Sequence, residues 1–373
     1  MDVIDKLFKQ LVYFFSEWIK RDSSKWLFAS HNDFGDNARY LFEDSYNPAG
    51  IRKIWIATNK HEYRLVKNLG YECYLKGSLK AKFHALTAKK YIYTCYVSDI
   101  GYQYSRNAIC INLWHGIPLK KIEFDIQQGP LVKKFNGSWL SRLKHPEIYR
   151  KHDYVLCPSN YIYEYSFASA FKISEKQTLK FAYPRSIFLQ NMTKQTKNTN
   201  FLYVPTWRDN GRDLLSLDIL DLDLIDQFCR ERDCYFNIKF HPNTNVEIDV
   251  NKYTNISVIS NKDDPNRCLA DADYLITDYS SIFFDYLVFN KPILFYVYDE
   301  IEYKSESREI YPEMGDIDCG VKIYTQAQLI LTMGKFLTEK DSYTDRRKEV
   351  IKKFGLDSNE IDNSKLYKYL SEI

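Results

Sequence analysis

Short apolar runs alternate with amphipathic stretches through both halves of the chain. Strand-like runs lie at 25–29, 53–57, 91–97, 108–114 and 154–158, and then at 201–204, 235–240, 256–259, 274–276 and 292–296. Apolar residues at helical spacing occupy 61–69, 79–88, 161–171, 218–232, 281–289, 326–337 and 343–354. Strands that alternate with helices are typical of parallel sheets covered by helices on both faces. Residues 120–150, with Gly129-Pro130 and Gly137, break this alternation and predict an irregular excursion.

The length of 373 residues exceeds what one hydrophobic core usually covers. The polar stretch 191–200 has almost no core-forming residues and is the predicted linker. We therefore predict an α/β protein with two doubly wound, Rossmann-like domains, at 1–190 and 201–373, facing each other across a cleft. The second domain includes a charged helical tail.

Residues 1–21 place Leu7, Phe8, Leu11 and Phe15 among lysines and aspartates, which predicts an amphipathic helix. Acidic residues interrupt this segment and no small-residue cleavage site follows, unlike a signal peptide. No segment has the roughly 18 uninterrupted apolar residues of a membrane span. Two interpretations stay open: packing on the first domain, or shallow contact with a membrane surface.

Composition narrows the function classes. A net charge of +3 is too small to indicate bulk nucleic-acid binding, so no nucleic-acid partner is predicted. The eight cysteines are scattered without a CxxC pair, which argues against a zinc ribbon or a disulfide framework and favours a reducing cytoplasm.

Two histidines follow apolar strand-like runs. His115 comes after 108–114 and precedes a Gly116/Pro118 turn, and His241 comes after 235–240 and precedes Pro242. A neutral imidazole at the edge of a sheet suits proton transfer at physiological pH, or contact with a phosphate. The alternative is a structural histidine bonded to backbone groups.

The segment 273–286 predicts a strand, a polar turn and an amphipathic helix. Thr277, Ser280 and Ser281 bring hydroxyls beside helix-start amides, which have no partner within the helix. Because free amides and the helix dipole both favour negative charge, this turn predicts an anion site. Ligands of doubly wound sheets bind at the carboxyl ends of strands, where His115, His241 and Thr277 all fall.

Other candidate groups are more ambiguous. Arg208 offers a planar fork for phosphate or a structural pair with Asp209, and Arg185 lies in a similar turn. Asp271 and Asp273 match the DxD pattern of metal-dependent glycosyltransferases, but they precede a strand and are predicted to be solvated carboxylates away from the cleft. No residues show dedicated metal-ligand spacing, and no GxGxxG or Walker motif indicates an organic cofactor. Mg²⁺ is compatible with pyrophosphate chemistry, without a dedicated site.

Four segments together resemble the CDP-glycerol glycerophosphotransferase family, which includes the primases and polymerases of wall teichoic acid. Further matches are 35–41 and 291–299, so the resemblance covers roughly residues 25–325. The four segments are Asn112-Leu113-Trp114-His115-Gly116-Ile117-Pro118-Leu119-Lys120, Tyr203-Val204-Pro205-Thr206-Trp207-Arg208-Asp209, Phe240-His241-Pro242-Asn243 and Ile276-Thr277-Asp278-Tyr279-Ser280-Ser281-Ile282-Phe283-Phe284-Asp285.

The resemblance implies a GT-B fold and transfer of an alditol phosphate from CDP-glycerol or CDP-ribitol to an acceptor hydroxyl, with CMP leaving. It implies that His115 is the general base or an essential phosphate contact, and that His241 is a second pyrophosphate contact. Donor-binding residues would be Arg208, Thr277, Asp278, Ser280, Ser281 and Asp285, with Asp278 shaping the turn and Asp285 either buttressing or contacting the ribose.

The implied acceptor is a lipid-linked glycan, which places the enzyme at the inner face of the cell membrane, in teichoic acid or capsule biosynthesis. One segment departs from the family, because its usual Gly-Tyr-Pro-Arg-Asn-Asp stands here as 182–187, Ala-Tyr-Pro-Arg-Ser-Ile. The alternatives are a GT-B glycosyltransferase that uses a nucleotide sugar and a catalytically silent glycan- or nucleotide-binding protein.

Overall fold

The computed structural model describes residues 3–31, 33–47, 50–207, 219–241, 244, 248–260, 263–306, 309–315, 317–357, 360 and 362–373. The chain divides into two compact units. Unit 1 contains Met1–Gly116, Lys121–Phe188 and Ser358–Ile373, and unit 2 contains Ile117–Lys120 and Leu189–Asp357.

Unit 1 contains a parallel sheet in the order β3-β2-β1-β4-β5-β6-β7. Its strands are β1 (Asp22–Ala29), β2 (Arg52–Ala57), β3 (Cys73–Leu75), β4 (Ala88–Tyr93), β5 (Ile109–Asn112), β6 (Tyr154–Leu156) and β7 (Thr178–Leu179). The strand order reverses between β1 and β4, and this reversal is where ligands bind in doubly wound sheets.

Unit 2 repeats the same plan with a parallel sheet in the order β10-β9-β8-β11-β12-β13. Its strands are β8 (Thr199–Val204), β9 (Cys234–Ile238), β10 (Ile256–Val258), β11 (Tyr274–Thr277), β12 (Ile293–Tyr296) and β13 (Val321–Ile323). The reversal lies between β8 and β11. The prediction of two doubly wound parallel sheets is confirmed.

Helices connect the strands in both units. In and beside unit 1 they are α1 (Val3–Phe15), α2 (Asp36–Glu43), α3 (Lys60–Asn68), α4 (Leu79–Thr87), α5 (Val132–Phe135), α6 (Trp139–Lys144), α7 (Pro146–Tyr149), α8 (Asn160–Ile162), α9 (Ala168–Ala170) and α10 (Pro184–Gln190). Further along the chain are α11 (Leu222–Glu231), α12 (Pro265–Asp271), α13 (Ile282–Tyr286), α14 (Glu300–Glu306), α15 (Pro312–Gly315), α16 (Gln326–Thr338), α17 (Thr344–Lys353) and α18 (Ser364–Glu372).

Several elements differ from the sequence prediction. The excursion 120–150 contains the short helices α5, α6 and α7 instead of irregular chain. The predicted helix 161–171 has a π-helical centre at Tyr163–Phe167, and the predicted helix 281–289 ends in a 3₁₀ turn at Leu287–Phe289. Both involve a local change in hydrogen-bond spacing, which the period of apolar residues does not reveal.

The tail does not follow the predicted domain range 201–373, because α18 belongs to unit 1. The Tyr367 ring stacks on Trp26 with centroids 5.9 Å apart, and its hydroxyl donates to the Leu41 carbonyl. The Asn363 amide donates to Asp44 at 2.8 Å. Aromatic burial and these long-range hydrogen bonds hold the tail against unit 1.

The predicted linker 191–200 is tied to unit 2. Asn200 lies in β8, Lys194 pairs with Asp273 at 2.5 Å, and the Gln195 amide donates to Asp271 at 2.7 Å. Asp271 also pairs with Arg267, and this bond lowers its pKa. The DxD carboxylates are therefore half-buried anchors for the linker and not the solvated groups expected.

Helix α1 packs on unit 1 near its C-terminal end. Tyr13 stacks on Tyr102 with centroids 4.7 Å apart, and Arg106 lies over the Tyr13 and Phe14 rings. Several large apolar side chains of α1 are exposed, namely Leu7, Phe8, Leu11, Phe14 and Phe15, and so are Trp18 and Ile19, which follow the helix. Among the helices that the structure describes, none combines the length and apolarity needed to cross a bilayer.

Candidate active site

In unit 1, polar groups line the carboxyl ends of β1 and β4, where the strand order reverses. The Thr94 hydroxyl donates to Ser30 Oγ at 3.2 Å and accepts from the His31 amide at 3.2 Å. Both hydroxyl-bearing residues are fully buried. These bonds fix the loop after β1 against the loop after β4, and His115 lies against this framework.

The hydrogen bond of His115 selects one ring tautomer. Its Nδ1 lies 3.2 Å from the Thr94 carbonyl oxygen, which can only accept. Nδ1 therefore carries the proton of the neutral ring, and Nε2 keeps its lone pair. Desolvation by surrounding protein atoms lowers the pKa of His115, although the residue keeps accessible surface. A neutral imidazole with an unprotonated Nε2 can act as a general base.

A strained turn presents this imidazole. Trp114 has φ +52°, which is unusual for a bulky residue. Its amide donates to Asn112 Oδ1 at 2.8 Å, and its carbonyl accepts from the buried Asn37 side chain at 2.9 Å. The Trp114 and His115 rings lie with centroids 4.0 Å apart. Hydrogen bonds on both sides of Trp114 thus stabilise a conformation that the chain alone disfavours.

Arg185 holds the next residue of the turn. Its guanidinium donates to the His115 carbonyl at 2.8 Å and to Asp36 at 2.6 Å, while its backbone amide donates to Asn37 Oδ1 at 3.1 Å. Gly116 has φ +131°, and a Cβ there would lie 2.7 Å from Arg185 Nη2. Glycine is therefore required both for the backbone angle and for the approach of Arg185.

A second imidazole lies at the same reversal of strand order, just after β1. His31 Nδ1 is 3.6 Å from Asp99 Oδ1, and this carboxylate raises the pKa of His31. Asp99 is buried and also accepts from the Tyr96 amide at 3.1 Å. The charge of His31 in turn contributes to the lowered pKa of His115.

In unit 2, the buried Asp278 joins the two strands at which the order reverses. Its carboxylate accepts from the Thr206 amide at 2.9 Å, from the Thr206 hydroxyl and from its neighbour Tyr279 at 2.7 Å. The Tyr279 ring stacks on Tyr303 with centroids 3.8 Å apart. Asp278 therefore fixes the loop after β8 to the turn after β11.

Thr277 does not present its hydroxyl to a ligand. The residue has no exposed surface, and its Oγ1 donates to the Val204 carbonyl at 2.7 Å. The expectation of a phosphate contact at Thr277 is corrected accordingly. Because Thr277 is the last residue of β11, its side chain bridges to the end of β8 instead of pointing into the turn.

Ser280 and Ser281 reach solvent in the same turn, where Ser280 is half-buried and Ser281 is exposed. The Ile282 amide approaches Ser280 Oγ at 3.4 Å, and Ser281 makes no capping bond with its side chain. The helix that follows is shorter than predicted, with five α-helical residues, so its dipole adds less to anion binding. Asp285, half-buried, lies within α13.

His241 follows β9 on an exposed loop of unit 2. Its ring stacks near Trp207 with centroids 6.4 Å apart and planes 24° from parallel. Desolvation, and then the charge of Lys120, lower the pKa of His241. Arg208, the predicted phosphate fork, lies outside the described residues. The loop after β8 therefore contacts both candidate groups of unit 2, Asp278 through Thr206 and His241 through Trp207.

Sequence reasoning missed the residues that position His115. Asp36 and Asn37 stand out in the sequence only as part of a family-like segment, and Arg185 only as an available cation. Asp99 carries no sequence signal. Asn37 is a buried amide in the first turn of α2, but nothing in the neighbouring sequence indicates that its partners lie more than 70 residues away.

Within the described ranges, no three His, Cys, Asp or Glu side chains cluster to hold a metal ion.

Two sequence relatives of similar length and one solved structure show what this chain is similar to. A teichoic acid poly(glycerol phosphate) polymerase of Bacillus spizizenii is 27% identical over 82% of this chain and 81% of its own length. A teichoic acid glycerol-phosphate primase of Bacillus subtilis is 28% identical over 78% of each chain. The structure of the wall teichoic acid polymerase TagF has a TM-score of 0.77 at 22% identity, over 99% of this chain and 97% of that one.

That structural likeness, with the two doubly wound sheets, shows the predicted GT-B fold. The model of one family matches residues 12–370, nearly the whole chain. The matched range includes the His115 turn of unit 1 and the Asp278 turn of unit 2. The chain belongs to the CDP-Glycerol:Poly(glycerophosphate) glycerophosphotransferase family.

Proposed function

We propose that this enzyme transfers glycerol phosphate, or ribitol phosphate, from a CDP-alditol to a hydroxyl of a lipid-linked glycan and releases CMP. The product is a teichoic acid or a teichoic-acid-like capsule polymer. The observation that carries the proposal is the family match over 12–370, a range that includes the His115 turn and the Asp278 turn.

In this proposal, His115 removes the proton of the acceptor hydroxyl. The Thr94 carbonyl holds the Nδ1 proton, so Nε2 is the atom that accepts. The acceptor oxygen then attacks the alditol phosphorus, the bond to the CMP oxygen breaks, and CMP leaves with the electron pair. Phosphoryl transfer depends mainly on positioning and charge stabilisation, for which a fixed base is well suited.

The unit 2 turn supplies the donor contacts. The hydroxyls of Ser280 and Ser281 and the imidazole of the nearby loop residue His241 reach solvent, and we assign them to the diphosphate of CDP-alditol. Asp278 and Thr277 act as positioning residues, because their polar atoms are bonded within the protein. Mg²⁺ would bind through the substrate's phosphate oxygens in this scheme.

The acceptor side of the proposal concerns the membrane. Helix α1 exposes a row of large apolar side chains with lysines beside them, which is the pattern of helices that lie in a bilayer interface. CDP-alditols are cytoplasmic nucleotides, so we place the enzyme at the cytoplasmic face of the cell membrane. Deletion of residues 1–21 followed by sedimentation with vesicles tests this placement, and unchanged binding to the vesicles contradicts it.

The test of the activity uses purified protein with CDP-glycerol, CDP-ribitol and a panel of nucleotide sugars, each with a lipid-linked glycan acceptor. We expect acceptor-dependent CMP release and a product heavier by one alditol phosphate in mass spectrometry. Release from nucleotide sugars alone would instead indicate a sugar transferase. Binding of CDP-alditols without turnover would indicate a silent binding protein, and either result overturns the proposal.

A further inference from the structure

A lysine-lined cavity of about 340 Å³ lies in unit 1, beside α1. Two of its lysines come from α1, one from the loop after β3, one from α4 and one from α6. The charged residues of its wall are Lys6, Lys9, Lys76, Lys82, Lys144 and Glu147. Four separate parts of the chain therefore bring ammonium groups to one cavity.

Positive charge in this cavity is only partly compensated. Lys9 pairs with Asp5 at 2.9 Å, and Glu147 lies 3.5 Å from His145. Lys76 Nζ donates to the Ser98 carbonyl at 2.5 Å, and desolvation lowers the pKa of this lysine. Five ammonium groups around one cavity repel one another, and an anion with several charges relieves that repulsion.

The helices that supply three of the lysines also carry exposed apolar side chains. On α1, next to Lys6 and Lys9, Leu7 and Phe8 are 57% and 64% exposed. On α6, next to Lys144, Leu143 is 53% exposed. The cavity thus has lysines along its wall and exposed apolar side chains beside it, and this combination complements an amphiphile: an anionic head joined to a hydrocarbon chain.

The cavity lies at the edge of the sheet that carries the His115 turn. Lys76 follows β3 and Ser98 follows β4, both at the carboxyl ends of their strands. Asp99, the partner of His31, also contributes to the electrostatic environment of Lys76. An anionic head bound here therefore lies on the same side of unit 1 as the proposed base.

We propose that the lipid-linked acceptor has an anionic head with several charges, a diphosphate, that this cavity binds it, and that the lipid chain lies along the exposed residues of α1 and α6. This inference rests on the proposed function, since it identifies how that acceptor is recognised. The lysines of the cavity wall supply charge-assisted hydrogen bonds to the diphosphate oxygens. The exposed side chains of the two helices keep the hydrocarbon out of water.

The binding test compares vesicles of three compositions: phosphatidylcholine alone, phosphatidylcholine with phosphatidylglycerol, and phosphatidylcholine with a polyprenyl diphosphate. The test variant is the double substitution Lys82→Gln and Lys144→Gln, at exposed positions. The matched control is Lys80→Gln and Lys133→Gln, which removes two exposed lysines outside the cavity wall. Circular dichroism confirms that both variants fold.

We expect the test variant to weaken binding to the diphosphate vesicles about tenfold or more, because two charge-assisted contacts are lost. The control should change it by less than about twofold, as is usual for exposed charges. Equal losses on phosphatidylglycerol vesicles would identify a general anionic membrane surface and overturn the proposal. Unchanged binding to the diphosphate vesicles would overturn it as well.

A kinetic test separates this inference from the proposed function. With CDP-glycerol in excess, the test variant should raise the KM for the lipid-linked acceptor about tenfold and leave kcat within about twofold. Absence of CMP release by the unaltered enzyme contradicts the proposed function. Normal release with an unchanged acceptor KM in the variant contradicts the lysine cavity alone.

Discussion

The two units use the same strand order, but their reversal points carry different chemistry. In unit 1, His115 and His31 stand beside buried Thr94 and Asp99, and a strained turn presents the His115 ring. In unit 2, the buried Asp278 is fully engaged in holding the two loops together. The reversal point of unit 1 offers an imidazole with a free lone pair, and that of unit 2 offers a rigid turn with hydroxyls on its surface.

This difference shows how two units with the same strand order can serve different steps of a transfer reaction. Proton transfer needs a group whose tautomer is fixed, and donor binding needs groups whose positions are fixed. The sheet order provides the location in both cases, whereas the loop residues provide the chemistry. Substitutions at the two reversal points should therefore affect different kinetic constants.

The largest effect is expected from His115→Ala. Loss of the general base should reduce kcat by about 10²–10⁴-fold, while the affinity for CDP-glycerol, measured by calorimetry, stays within about twofold. The matched control is His61→Ala, an exposed histidine on α3. Near-normal turnover in His115→Ala would remove this residue from the mechanism. The functional difference between the two reversal points would then no longer hold.

A substitution in unit 2 should produce the opposite pattern. In Asp278→Ala, the Thr206 amide, the Thr206 hydroxyl and the Tyr279 amide lose their acceptor, which costs about 1–3 kcal/mol for each donor left unsatisfied. We expect the dissociation constant for CDP-glycerol to rise about tenfold or more and the melting temperature to fall.

Asp278→Asn serves as the control, because its amide oxygen still accepts from the same donors. Calorimetry and thermal unfolding check both variants. If Asp278→Ala bound CDP-glycerol normally, the unit 2 turn would not be the donor site.

The glycine of the His115 turn offers a more local test. In Gly116→Ala the new Cβ would displace the Arg185 guanidinium, which we expect to lower kcat about tenfold through misplacement of the imidazole. Gly137→Ala is the control, since Gly137 also has a positive φ, but a Cβ added there meets open space among the residues that the structure describes. Equal losses of activity in the two variants would attribute the effect to backbone strain alone.

The smallest predicted effect concerns pH. Because the pKa of His115 is lowered from the usual 6.5, the base stays neutral above that value, and kcat/KM should fall only as the pH drops through the lowered pKa. The charge of Arg185 lowers this pKa and that of Asp36 raises it. Arg185→Gln should therefore move the acid limb to higher pH, and Asp36→Asn should move it to lower pH.

Rate profiles between about pH 4 and pH 9 measure these shifts, which we expect to be within about one pH unit. Shifts in the same direction for both variants would show that the limb does not report on His115. A profile of the unaltered enzyme that stays flat down to the lowest pH would also contradict the assignment of the acid limb to His115.

Much of the architecture could be predicted from the sequence, because buried parallel strands leave apolar runs that stand out. The edge strands β3, β7 and β13 were not predicted, since two or three residues leave too short a pattern. The placement of α18 in unit 1 was also missed. Its apolar face is visible in the sequence, but its partners Trp26 and Leu41 lie more than 300 residues earlier.

The candidate groups themselves were predicted more readily than their surroundings. His115 and His241 stand out because a titratable residue directly follows an apolar strand. Their partners do not stand out, since Asn37 and Arg185 reach the His115 turn from distant elements. The buried state of Thr277 depends on the facing strand β8, which a linear pattern of hydroxyls does not include.

The membership of α18 in unit 1 affects how this protein is made. Domains generally fold as they emerge during synthesis, at about 5–20 residues per second. Unit 1 cannot bury Trp26 under Tyr367 until residues 363–372 have been synthesised. At this rate of synthesis, they follow residue 188 after roughly 10–40 s. During that interval, the face of Trp26 that Tyr367 covers in the folded protein stays uncovered in the nascent chain.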